Sequence, residues 1–267
     1  MNDSQYKFLS DLRQTAAFYN ALGVETLPLG PEVKAFMALA RGSERPAGRQ
    51  PSRPPLMPRA AGRKSQAPPS QEPGAGGIVG SLTDIQGQFG ECGRCPLHEG
   101  RKRIFFGQGN PRAGLFIVSQ WPTAVDEAQG ALFSGAEEAL LSRMLAAIKL
   151  SPAEVYFSSV VKCPASEERP PTASDIKHCL PFLLAQIKAV APKVVCTLGP
   201  LAAQALLRSR QPLVRLRGRW RRLPELTSPA GDALPLMATF HPAYLLRNEE
   251  MKKAAWHDLL MIQQRLG

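Results

Sequence analysis

Apolar residues follow two different rhythms along this chain. From Ser81 onward, short runs of β-branched and apolar residues alternate with longer stretches whose apolar positions fall three and four apart. The runs at Leu115–Ser119, 155–161, Val194–Leu198 and 236–239 are too short for buried helices and predict strands. Residues 135–150, Ala173–Val190, 200–208 and 249–266 carry the amphipathic spacing of helices. Apolar strands separated by helices predict a short, mostly parallel sheet covered on both faces, a three-layer α/β/α domain over residues 81–267. Ligands of such sheets bind at the carboxyl ends of strands, so chemistry is expected in the loops after Val118, Val161, Leu198 and Phe240.

The N-terminal part reads differently. Ser4 is placed to cap a helix bearing Tyr6, Phe8, Leu9, Leu12, Phe18 and Tyr19, with Gly23 as its stop. Pro31 opens a second helix with Val33, Phe36, Met37 and Leu39. Such a pair, residues 1–41, cannot bury a core alone; a helical extension that docks or recruits a protein partner is the expectation. Residues 42–80 hold eight prolines, seven glycines, six basic and two acidic residues, which predicts a disordered, polyproline-like basic linker.

Composition narrows the function classes. At 44% hydrophobic and 21% charged residues the chain is globular, and no apolar run reaches the ~18 residues a bilayer requires. The start, MNDSQYKFLSDLRQ, lacks a basic segment followed by an apolar stretch, so a cytoplasmic monomer is expected. With 33 Lys+Arg against 22 Asp+Glu the net charge is +11, which favours a polyanionic partner, nucleic acid before membrane. Seven arginines crowd residues 208–222 around Trp220, and Arg215, Arg217, Arg219 and Arg221 alternate as one face of a strand would. Arg217 and Arg219 are therefore candidate DNA contacts.

The cysteines add chemistry. Five in an apparently cytoplasmic chain argue against a disulfide scaffold. Cys92 and Cys95 form a CxxC, Cys163 follows a predicted strand, and Cys179 lies early in a helix, so the four can converge on zinc or a four-iron cluster. Cys196, inside a buried strand, reads as a small hydrophobe.

Taken in order, ECGRCPL, VVKCPA, HCLPFLLAQI, VVCTLGPLAAQALL and TFHPAYLLRN resemble the iron–sulfur, family 4 branch of the uracil-DNA glycosylase superfamily, over residues 85–266. The resemblance implies a [4Fe–4S] cluster on Cys92, Cys95, Cys163 and Cys179 as a structural element, with zinc as the alternative. It implies that His241 hydrogen-bonds the uracil oxygen, that Phe133 stacks under the flipped base, and that Leu246 and Arg247 enter the minor groove. The implied function is a DNA-repair glycosylase, a hydrolase that flips a damaged base, uracil foremost, and cleaves its N-glycosidic bond.

Two motifs depart from the pattern. The family's first loop reads Gly-Glu-Ala-Pro-Gly, whereas here Ser119-Gln120-Trp121-Pro122-Thr123 leads into Asp126 and Glu127. Gln120 resembles the glutamine of the Gly-Gln-Asp-Pro-Tyr loop of other uracil glycosylases, but Trp121 takes the acid's place, leaving Asp126 or Glu127 to orient water if the loop folds back. Where the family has the base-reading Asn, this chain has Ser159, whose single hydroxyl cannot make the same two-point contact. Slow excision is the expectation. The competing readings are a degenerate member that binds DNA or a repair partner, or a zinc-stabilised nucleic-acid module.

Overall fold

The computed structural model describes residues 78 to 267 apart from Val79 and Glu167. The helical extension expected over residues 1–41, and the expected linker up to residue 77, lie outside the described residues. The domain opens with helix α1 (Leu82–Phe89), where Ser81 and Asp84 form a reciprocal capping box. Six strands follow: β1 (Gln108–Gly109), β2 (Leu115–Ser119), β3 (Val155–Ser159), β4 (Val194–Leu198), β5 (Arg221–Thr227) and β6 (Ala233–Thr239). They form one sheet in the order β1-β3-β2-β4-β6-β5. The inner four, β3-β2-β4-β6, are parallel, and an antiparallel strand closes each edge.

The three-layer α/β expectation is met. Every residue of β2, β3 and β4 is buried, which only a sheet covered on both faces allows. The covering helices are α2 (Ala124–Gln129), α3 (Ala136–Ala147), α4 (Ala173–Val190), α5 (Pro200–Leu207), α6 (Leu213–Leu216), α7 (Pro242–Arg247) and α8 (Lys252–Leu266). Among the described residues no helix is long and apolar enough to cross a membrane.

One prediction is corrected. The alternating arginines do not lie on a strand: Leu213–Leu216 winds as a helical turn, Gly218 adopts a left-handed φ of +71°, and β5 begins only at Arg221. Buried Leu213 and Leu216, three apart, set the local period that the arginine spacing masks.

Candidate active site

The parallel strands β2, β4 and β6 end on the same side of the sheet, and their carboxyl ends build the site. His241 leaves β6 as the N-cap of α7, with Pro242 at the first helical position. Its Nδ1 accepts from the Ala243 N–H at 3.3 Å, and its Nε2 lies 3.1 Å from the Ser119 hydroxyl at the end of β2. The network thus assigns the proton to Nε2. Burial lowers the imidazole to about 4, and the positive charge of Arg247 acts in the same direction, so the ring is neutral at physiological pH. Glu137 lies 3.7 Å from Nδ1, beyond hydrogen-bond distance.

Phe133 stacks against His241, ring centroids 5.8 Å apart at 30°, and meets Phe157 edge-on. Its backbone holds φ at +59°, which is costly for a non-glycine residue and concentrates at functional sites. The ring beside His241 is therefore Phe133, while Trp121 is half-buried against the core. On α7, Leu245 is buried, whereas Leu246 is 36% exposed and Arg247 beside it is exposed as well. An apolar side chain and a cation thus project from the helix that His241 caps.

The first loop does not supply a free acid. Asp126 is buried and accepts from the Thr123 N–H at 2.8 Å and the Thr123 hydroxyl at 2.9 Å, closing a capping box at the start of α2. Glu127 accepts from the Lys102 N–H at 2.6 Å. Gln120 accepts from the Leu201 N–H at 3.2 Å, capping α5, whose N-cap Gly199 offers no side chain. A Cβ on Gly199 would lie 2.9 Å from the Gln120 carboxamide, and Gly199 holds φ at +89°, so glycine is required there. Asp126 thus caps α2, and Glu127 ties the Lys102 backbone to the same helix.

Ser159 is likewise turned inward. Its hydroxyl donates to the Val161 carbonyl at 2.7 Å, and its own carbonyl accepts from Lys162 Nζ at 2.7 Å. Lys162 is fully buried, also donates to Ser158 Oγ at 2.6 Å, and is pushed down to about 8 by burial despite the opposing influence of Cys179. Sequence placed Ser159 at a base edge; the structure places its hydroxyl in its own turn.

Arg217, expected at the DNA surface, pairs instead with fully buried Asp258 on α8, Nε at 3.0 Å and Nη2 at 2.9 Å. Asp258 also accepts from the Thr239 hydroxyl at 2.7 Å, and the guanidinium stacks over Phe240 at 5.0 Å. Burial raises the Asp258 carboxyl against the pull of Thr239 and Arg217. This cluster grips the last residues of β6 before His241. Arg219 remains exposed.

Cys92, Cys95, Cys163 and Cys179 line one pocket, with Lys162 and Arg94 on its wall. Arg101 donates to the Cys163 sulfur at 3.3 Å and to the Cys92 carbonyl, joining the CxxC turn to the loop after β3. Burial raises the thiols, Cys95 to about 11 and Cys179 to about 12, so a group that bound them as thiolates would have to supply compensating charge. Among the described residues the thiols are not drawn into the tight group that one ion needs. The four thiols and the cations beside them fit a thiolate-bound metal centre. Cys196 is buried in β4, away from this pocket.

Sequence reasoning missed Ser119 and Asp258 as site residues. Asp258 shares the buried face of α8 with Ala255, Leu259 and Ile262, and a carboxylate on an apolar stripe was the available signal. Nothing marked Ser119 beyond its place at a strand end.

A parallel sheet thus carries a histidine–serine pair and an aromatic wall at its carboxyl edge. The chain belongs to the uracil-DNA glycosylase superfamily, whose family model matches residues 106–260. It is 32% identical over 174 residues to the type-4 uracil-DNA glycosylase of Pyrobaculum aerophilum, covering 64% of this chain and 87% of the relative. It is 29% identical over 197 residues to the type-4 uracil-DNA glycosylase of Archaeoglobus fulgidus, covering 70% and 94%. The corresponding enzyme of Thermotoga maritima is 31% identical over 174 residues, covering 63% and 86%.

Proposed function

We propose that this chain is a DNA-repair glycosylase that hydrolyses the N-glycosidic bond of uracil in DNA. The observation that carries the reading is the neutral imidazole of His241, only 14% exposed, its Nε2 paired with the Ser119 hydroxyl at the sheet's carboxyl edge beside Phe133. In the reaction the C1′–N1 bond breaks and its electron pair leaves with the base. Water oxygen then bonds C1′ and gives up a proton to solvent. Negative charge grows on the base oxygens, and a donor fixed in a dry pocket stabilises it without reorganisation. A neutral imidazole suits this site because it orders a hydrogen-bond donor there without requiring a desolvated cation. Phe133 offers a flat apolar face for the extruded base, and exposed Leu246 fills the space that the base leaves.

No carboxylate of the first loop is free to orient water, since Asp126 and Glu127 are held by backbone N–H groups. Ser159 offers no free edge-reading hydroxyl. The chemistry therefore rests on stabilising the leaving base, and excision is slower than in enzymes with a positioned acid and an Asn reader.

Cys92, Cys95, Cys163 and Cys179 would hold a [4Fe–4S] cluster. When bound it supplies a structural tie between the CxxC turn, the loop after β3 and α4, and no step of the reaction. Iron and sulfide content with visible absorbance would identify it; stoichiometric zinc in a colourless protein would overturn that assignment.

The function is tested by incubating the purified full chain with single- and double-stranded DNA carrying one uracil. Release of free uracil and an alkali-labile abasic site is expected. Binding without release would replace this reading with that of a non-excising DNA binder.

A further inference from the structure

We propose that Ser119, polarised from behind by His241, is the group that hydrogen-bonds the departing base; this rests on the glycosylase reading above. Ser119 is the last residue of β2 and only 3% exposed. Its backbone is held by parallel pairing with Ser159 and by the Val160 N–H, which donates to its carbonyl at 3.0 Å. The direction of its side chain is therefore set by the sheet rather than by a loop.

The hydrogen-bond roles follow from the tautomer. Nδ1 of His241 is occupied as an acceptor by the Ala243 N–H, so Nε2 donates and the Ser119 oxygen accepts at 3.1 Å. A hydroxyl that accepts one hydrogen bond still has its own proton to give. Among the described residues the Ser119 hydroxyl makes no other hydrogen bond. A base oxygen that approaches His241 therefore meets the hydroxyl that already holds Nε2–H. The chain imidazole N–H, hydroxyl O–H, base oxygen then forms, and each link polarises the next. No proton changes owner; the two groups stay neutral and share the growing charge.

The neighbouring polar side chains do not compete for this role. Gln120 caps α5 and Asp126 caps α2. The pattern that this chain resembles has glycine at the first position of the loop, and glycine brings no hydroxyl. Ser119 is thus a feature of this chain's own chemistry.

The test is single-turnover uracil release by the full chain carrying Ser119→Ala, Ser119→Thr, His241→Ala, or Ser119→Ala with His241→Ala. Ser119→Ala should slow release by about 100-fold. Uracil-DNA binding and the melting temperature should stay within error. Ser119→Thr keeps the hydroxyl and should recover most of the rate. Because the two residues act as one donor, the double variant should be no slower than the slower single. Wild-type release with an unimpaired or faster Ser119→Ala variant would overturn this inference and leave the glycosylase reading standing, the hydroxyl then merely covering His241. Losses that multiply in the double variant would also overturn it. If Ser119→Thr does not fold, as its melting curve would show, the alanine and double variants still decide. Absence of release by the wild type would sink the glycosylase reading itself.

Discussion

Replacing Arg217 by alanine tests whether this arginine holds the active-site strand or touches DNA. Its guanidinium meets Asp258 at 2.9–3.0 Å, and Asp258 is 0% exposed, with Thr239 as its other partner at 2.7 Å. Removing one member of a buried pair costs about 3–5 kcal/mol, because the remaining charge is stranded. The Arg217 side chain is 17% exposed, so water can reach part of the vacated space, and Thr239 still satisfies one oxygen. Both effects favour the lower end, about 3 kcal/mol. For a domain of this size each kcal/mol moves the melting temperature by roughly 2–4 °C, giving a fall of about 6–12 °C. Circular-dichroism melting should show it, and Arg217→Lys should recover only part because lysine cannot make the two-point fork. The dependence of DNA affinity on salt should keep its slope. A melting shift under about 2 °C, together with a slope reduced by about one, would mean that Arg217 contacts phosphate instead.

Three further outcomes follow from the site. Burial holds His241 at about 4, below its ordinary 6.5, so the unfolded chain takes up this proton first. The associated stability is complete above about pH 6.5 and is lost as pH falls toward about 4. The melting temperature of His241→Asn should therefore decline less than wild type across that window, and parallel declines would contradict the assignment. Leu246→Ala should weaken binding to uracil-containing duplex by about tenfold, while unfolding stays nearly unchanged because the side chain is 36% exposed. Equal affinity in a gel-shift titration would remove Leu246 from the interface. Exposed Arg219, changed to alanine, should lower the salt slope of binding by about one; an unchanged slope would place it off the DNA.

What could be read from sequence was what periodicity and order encode. β2 and β4 carry continuous apolar runs and α4 a long amphipathic one, and each was located to the residue. β1 escaped notice because two exposed residues, Gln108 and Gly109, have no pattern. The arginine alternation over 215–221 places a strand several residues too early; β5 runs over Arg221–Thr227, where an edge position tolerates Pro224. A motif in the sequence names His241 and Phe133, and the structure brings their rings together. The candidate site was not legible where partners decide the role. Asp126, Glu127 and Gln120 look like catalytic groups in a line of text; beside Thr123 and Leu201, Asp126 and Gln120 cap helices, and Glu127 accepts from the Lys102 backbone. Arg217 looked like one basic residue among seven until α8 brought Asp258 to it.

The central claim is that the neutral imidazole of His241 anchors the donor that stabilises the departing base. Single-turnover release of uracil from single-stranded DNA, compared between wild type and His241→Ala at pH 7, tests it most directly. A slow but measurable wild-type rate that falls about 100- to 1,000-fold in the variant, with DNA affinity retained, is predicted. Equal rates in the two proteins would contradict it.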